Sequence, residues 1–349
     1  MERSGSHLLN MSKYRSKSNS NAFTIVELLV VIVVIGILAA ITVVSYTGIS
    51  QKAIVSSLQT DLNNASKLLK MDQVISSAYP ATLAAANAGK GIPSSPDTTY
   101  QYVVNNNISP QSYCLSATKN SITYITTESA TSAIGNCTNY LPVLYLDAGN
   151  TASYPGTGTT WNDLSGFNNN GTLMKGASFT SNNGGVIVFD GVDDYVRILN
   201  SSTVSPGSNS FSISMWFKMN AVGVNSASIL INKENSYESS AGGGRFTYAW
   251  QPYWAWVDSF AVNVGDWYNA VIVYNNVNQS VYKNGVFAYS RLQTGVMGPN
   301  TNELDIGARG AGTSSFLPGT VGTVQIYQRV LSVDEISQYF NATKARYGL

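Results

Sequence analysis

Phe23-Thr24-Ile25-Val26-Glu27, followed by the fourteen apolar residues from Leu28 to Ile41, sets a single carboxylate at the head of a membrane-length helix. As a helix, residues 23–44 rise about 33 Å, enough to cross a hydrocarbon core of roughly 30 Å. An ionised side chain in hydrocarbon is costly, so Glu27 needs a partner or a task. Arg3, Lys13, Arg15 and Lys17 precede the run, and Ala22 stands just before Phe23. A secretory signal places its small-residue cut after the apolar stretch. Here the charge and the small residue come first, which predicts that the helix is retained.

This order of basic leader, small residue, Phe-Thr-x-x-Glu and apolar run resembles the prepilin signal of type IV pilins and pseudopilins. The resemblance implies that prepilin peptidase cuts between Ala22 and Phe23 and that the new amine is methylated. It further implies that inner-membrane lipid holds the helix until the subunit joins other pilin subunits in a helical filament. Family members usually carry Gly before the cut, so Ala22 is a departure. The freed Phe23 amine is a cation at the helix start, which Glu27 of a neighbouring subunit neutralises. The worth of such a buried pair lies more in register than in net stability. The alternative is a plain transmembrane anchor with Glu27 at headgroup level.

A length of 349 residues suggests two domains beyond any anchor. Charge is sparse, at 11%, and the residues after 22 carry sixteen basic and eighteen acidic side chains. No basic field is left for nucleic acid, and none is expected as a partner. The only histidine, His7, lies in the leader. A processed chain therefore has no imidazole for a triad, a zinc water or a histidine metal site.

An amphipathic stretch continues the apolar helix from about residue 49 to 75, with Ile54, Leu58, Leu62, Ala65 and Leu69 at three- or four-residue steps. Residues 99–105, 112–118 and 121–127 are short runs rich in Tyr, Val, Ile and Thr that read as strands to cover that stripe. The pattern resembles the compact head of small pilins, a helix spine against an antiparallel sheet with one disulfide near its end. In an oxidising compartment Cys114 and Cys137 pair, a closure worth about 3 kcal/mol by chain entropy; in a reducing cell they stay thiols.

After residue 140 the texture becomes all-β, with runs at 185–189, 211–219, 270–274 and 279–282 separated by Asn- and Gly-rich turns. Asn284-Gly285 marks a type I′ hairpin. The motifs Trp161-Asn162-Asp163-Leu164-Ser165-Gly166, Val188-Phe189-Asp190-Gly191-Val192-Asp193-Asp194-Tyr195-Val196 and Phe211-Ser212-Ile213-Ser214-Met215-Trp216-Phe217 resemble the laminin G-like, concanavalin A-type jelly roll. The organisation expected is a leader at 1–22, a pilin helix at 23–79 with its transmembrane and polymerisation half at 23–44, a small head with sheet and disulfide at 80–140, and a jelly roll at 141–349. The fold class is thus an α+β pilin module, a long N-terminal helix plus a small antiparallel sheet, followed by an all-β jelly-roll sandwich.

Function sits in sites rather than folds. Retaining glucanases of this architecture need carboxylates about 5 Å apart, commonly as Glu-x-Asp-x-x-Glu on one strand. Glu303-Leu304-Asp305-Ile306-Gly307-Ala308 lacks the third, so no enzyme is expected. Six aromatics crowd residues 246–256. Read as a hairpin turning at Gln251-Pro252, the segment offers Trp250, Tyr253, Trp254 and Trp256 as candidate contacts to a glycan or a surface protein, through rings that stack on sugars or fill the core. Asp163, Asn168, Asp193 and Asp194 supply the hard oxygens that calcium takes, or cap tight turns. No cofactor is required, and a structural calcium is the one candidate. The expected function is adhesion by a minor or tip pilus subunit, extracellular after assembly from the cytoplasmic membrane. The alternatives are a coat-forming structural pilin and a pseudopilin of a secretion or DNA-uptake system.

Overall fold

The computed structural model describes residues 25–129, 132–205, 210–221, 227–251, 254–295, 297 and 300–349. It divides into two compact units, residues 1–54 and 55–349. In the first, the helix Ile25–Ser76 begins, and Ile25–Thr42 is long and apolar enough to cross a membrane. Its Val, Leu and Ile side chains from Ile25 to Ile41 are exposed. A stripe apolar on every side has no core to enter, so lipid or another helix is its natural environment.

In the second unit the rest of that helix buries Leu58, Leu62, Ala65 and Leu69, the stripe read from the sequence. It packs on a four-stranded antiparallel sheet in the order Thr99–Asn105, Ser112–Lys119, Ile122–Thr127, Ala133–Ile134. Tyr113 fixes the contact: its hydroxyl lies 2.7 Å from Ser66 Oγ, and its ring meets Tyr79 edge-on at 4.8 Å. Asn120 and Ser121 both take positive φ, as a two-residue hairpin turn requires. Cys114 and Cys137 are disulfide-bonded. Replacing both by Ser is expected to cost the head about 3 kcal/mol, read as a fall in melting temperature that reductant reproduces in the parent chain.

Two antiparallel sheets form the remainder. The first runs Val257–Ala261, Arg245–Trp250, Tyr237–Ser240, Ile229–Lys233, Leu304–Ile306, Tyr195–Ile198, Gly171–Met174, Thr160–Trp161. The second runs Val286–Leu292, Asn278–Lys283, Trp267–Tyr274, Phe211–Met219, Pro318–Tyr327, Val186–Asp190, Ser178–Thr180, with Leu144–Asp147 also paired to Pro318–Tyr327. Asn284 and Gly285 both have positive φ in the expected hairpin turn. Between the sheets lies one apolar core containing Trp161, Phe189, Phe217 and Phe246.

The outer face of the second sheet is covered. A helix at Val333–Thr343, started by a Ser332–Glu335 capping box, lays Phe340 on Trp216, and Tyr347 stacks on the same indole at 4.1 Å. Arg346 staples this end, donating to Asp147 Oδ1 at 2.6 Å and to Asn183 O at 2.9 Å. Within residues 55–349 the small sheet and the sandwich are bonded to each other: Asn105 Nδ2 donates to Leu164 O, Asn150 Nδ2 to Asn107 O, and Arg329 Nε to Tyr140 O. Arg329 also pairs with Glu335 beside Glu128, whose carboxyl burial pushes up in pKa. The first sheet carries no helix on its outer face among the described residues, and that difference locates the site.

Candidate binding face

Glu27 stands in the first turn of the long helix, where a carboxylate complements the helix dipole. Ala22 and Phe23 lie outside the described residues.

The aromatic segment departs from its expected hairpin. Tyr248 pairs with Val257, so the second arm begins at Val257, and the connection from the end of the first strand at Trp250 is longer than a turn at Gln251-Pro252 allows. Trp254 and Trp256 sit in that connection, not on a strand. Trp250 is 0% exposed and stacks on Phe211 at 4.4 Å, so it is a core residue and is withdrawn as a ligand contact. The same parity carries Phe246 and Tyr248 into the core. Tyr253 lies outside the described residues. Trp254 is half-buried, and Trp256 is 41% exposed.

The four oxygen ligands divide. Asp163 is consumed in capping its own loop: Oδ1 accepts from Tyr145 N and Ser165 N, and Oδ2 accepts from Asn169 N and Ser165 Oγ. Asn168 takes a left-handed φ in that loop. Asp193 and Asp194 instead join Asp190 in a group whose ligand atoms lie within 4.8 Å of one another. Asp194 is buried, with Oδ2 accepting from Asp190 N and Oδ1 taking no hydrogen bond. Burial first, and then the charges of Asp190 and Asp193, raise its pKa. Three carboxylates gathered this closely fit a hard cation, which takes six to eight oxygens.

On the first sheet the strand register aligns four polar residues on the outer face: Arg197 opposite Asp305, Asp305 opposite Asn232, Asn232 opposite Glu238. Their neighbours Val196, Ile306, Ile231 and Tyr237 point into the core, as period-2 alternation demands. Residues 307–315 fold back over this row. Gly310 N donates to Asn232 Oδ1, Ala311 N to Asp305 Oδ2, and Arg197 Nη2 to Ala311 O. Arg309 grips Glu238 through Nε to Oε1 at 2.7 Å and Nη2 to Oε2 at 2.6 Å. The Trp256 ring lies 5.6 Å from the Arg309 guanidinium, which brings the exposed indole to the end of the row.

Asp305 is 1% exposed. Its pKa is pushed up to about 6, chiefly by burial, with Glu303 and Glu234 adding to the rise and the Ala311 N–H and Arg197 opposing it. Because the folded value exceeds the unfolded one, this carboxyl's stabilising contribution is full at low pH and is lost as pH rises through about 6. Thermal unfolding between pH 5 and 7.5 is expected to show Asp305→Asn losing that part of the pH slope. The sequence does not mark this row as a site. Its only local signal is a charge between apolar residues, as in Leu304-Asp305-Ile306.

Comparison with known proteins agrees with this architecture. The prokaryotic N-terminal methylation motif matches residues 17–43, and the concanavalin A-like lectin/glucanases superfamily matches residues 190–337. The chain therefore joins a prepilin-type N-terminus to a concanavalin A-like jelly roll. Similar solved structures include the binding domain of Paraclostridial Mosquitocidal Protein 1, at 16% identity and TM-score 0.48 over 58% of this chain and 52% of that one. Domain 4 of AbnA, an extracellular arabinanase from Geobacillus stearothermophilus solved with arabinotriose, is 16% identical with TM-score 0.45, over 57% of this chain and 98% of that one. The binding domain of botulinum neurotoxin DC, solved with rat synaptotagmin II, is 16% identical with TM-score 0.47, over 59% and 52%. The chain thus spans about half the length of the two toxin domains. No curated protein matches it.

Proposed function

We propose that the chain is a type IV pilus subunit, minor or at the tip, that displays its jelly roll outward as an adhesive module for a glycan or a surface protein. The observation that carries this reading is an exposed, membrane-length helix with Glu27 in its first turn, in a chain that also holds a two-sheet sandwich, one sheet of which carries no helix on its outer face among the described residues. Prepilin peptidase removes residues 1–22, and other pilins take the place of lipid around the helix. The sandwich acts as a binder without catalysis: Glu303 has no third carboxylate in its motif, and Arg197 engages it at 2.6 Å. Mass spectrometry of sheared surface fibres tests the reading. A mature chain beginning at N-methylated Phe23 is expected, whereas fibres lacking the chain, or a chain retaining residues 1–22, overturn it.

Calcium belongs to this proposal as a structural ion at Asp190, Asp193 and Asp194. A chelator is expected to lower the melting temperature of the parent chain by several degrees and to leave Asp193→Asn unmoved. Equal response of both removes the ion from the account.

A further inference from the structure

The chain leaves the small sheet and enters the sandwich through Leu141–Val143, a short connection between Tyr140 and the strand Leu144–Asp147. With the sandwich attached to a surface and the helix held in a fibre, tension passes through this connection. The strands on either side of it are weak when peeled. On the head side the last strand, Ala133–Ile134, is exposed and makes two pairs, with Ile125 and Tyr124. On the sandwich side Leu144–Asp147 pairs from its first residue, opposite Ile326. A ladder pulled from its end gives way one bond at a time, so either strand opens under a small load. The surface between the two parts adds little, because a cavity of about 270 Å³ separates Pro110, Ser112 and Ser129 from Leu331, Gln338 and Ala342. Modules joined by a hollow, polar interface move relative to one another unless something holds them.

Two links bypass the weak strand of the head, and both end at Tyr113–Cys114 in the strand Ser112–Lys119. Cys137, just before Tyr140, is bonded to Cys114. Alongside it the Tyr140 hydroxyl donates to Glu128 Oε1 and Tyr113 N donates to Glu128 Oε2, each at 2.9 Å. Tyr113 in turn meets the long helix, its hydroxyl 2.7 Å from Ser66 Oγ. Across the connection, Arg329 Nε donates to Tyr140 O at 2.8 Å, the guanidinium lies 4.3 Å from the Tyr140 ring centre, and Glu335 fixes it at 2.8 Å. Arg329 follows directly on the strand Pro318–Tyr327 that pairs with Leu144–Asp147, so its grip on Tyr140 spares that ladder.

We propose that Arg329–Tyr140 and Cys137–Cys114 form a redox-sensitive strap that carries tension from the sandwich to the helix and keeps residues 115–136 and the strand Leu144–Asp147 slack. Reduction puts residues 115–136 back into the load path. The use of the strap rests on the display reading, but the strap itself is a property of the single chain.

The test pulls the full chain in detergent in an optical trap, with handles clicked to unnatural side chains at the exposed positions 63 of the helix and 276 of the sandwich. Cys114→Ser with Cys137→Ser is expected to open first by about 8 nm, the 23-residue separation at roughly 3.5 Å per residue, at half the parental opening force or less. Reductant added to the parent is expected to give the same step. A head weakened only in general opens as a whole, by about 25 nm between positions 63 and 140. That single long step in the double-serine chain, or opening at the parental force, overturns the disulfide as a load path. Arg329→Ala, with the disulfide intact, is expected to halve the force at which the sandwich parts from the head, and Glu335→Gln carries this arm if Arg329→Ala unfolds. Parting at the parental force overturns the grip on Tyr140. Neither failure touches the display reading, which falls with fibres that lack the chain.

Discussion

Arg309→Ala is expected to destabilise the sandwich by about 3–5 kcal/mol, the range for removing one partner of a buried ion pair. Glu238, whose side chain is 0% exposed, accepts two charge-assisted bonds from this guanidinium. Even with Arg309 in place, burial holds the Glu238 pKa above the ordinary carboxylate range, the hydrogen bond and charge of Arg309 opposing the rise. Without the arginine, the folded state keeps a carboxylate that water no longer reaches, and the Trp256 ring loses its cationic neighbour. The raised folded pKa sets the direction with pH: the variant recovers stability as pH falls, because the folded form takes up the proton first. Adding Glu238→Gln to Arg309→Ala is expected to return much of the loss, since the charge goes while the shape stays. Denaturant unfolding of the two single variants and the double at pH 5 and 8 closes the cycle. Equal stability of Arg309→Ala and the parent at pH 8 would show that the segment 307–315 holds without this pair.

What the sequence makes legible and what it hides divide along local and non-local physics. The steps from Leu58 to Leu69 read as a buried stripe because helix periodicity is local, and all four residues are buried. Asn284-Gly285 reads as a turn because only residues tolerant of positive φ close a two-residue hairpin. The aromatic cluster misleads for the opposite reason. Whether Trp250 faces core or solvent depends on its pairing opposite Tyr237 in the neighbouring strand, and that register is set by the whole sheet. The outer row is hidden more deeply, because Arg197, Asn232, Glu238 and Asp305 come from four strands brought side by side only by the jelly-roll order. Lys233 shares core parity with Ile231. It is buried while its Nζ reaches Asn200 Oδ1 at 2.8 Å at the sandwich rim, and burial lowers its pKa to about 8. Asp163 bears out the turn-capping alternative, and the acidic group that remains recruits Asp190 in its place.

Glu27→Ala is expected to leave membrane insertion intact and to abolish incorporation into fibres. Insertion depends on the length and hydropathy of the helix, and removing a charge from its first turn makes insertion easier. Assembly depends on something else. Apolar helices packing against one another gain little direction from greasy contacts alone, since sliding by one turn replaces Val, Leu and Ile with more of the same. In the proposed filament, a single carboxylate paired with the Phe23 amine of the neighbouring subunit would distinguish one register from the others, which is the best-attested use of a buried ionic pair. Glu27→Gln keeps the volume and the hydrogen-bonding reach but not the charge, and is expected to fail almost as completely. Membrane fractions are expected to hold both variants at parental amounts, with sheared fibres depleted of them by tenfold or more. Fibres that contain Glu27→Ala in normal amounts remove the ion pair from the assembly mechanism and leave the helix as an anchor for the sandwich.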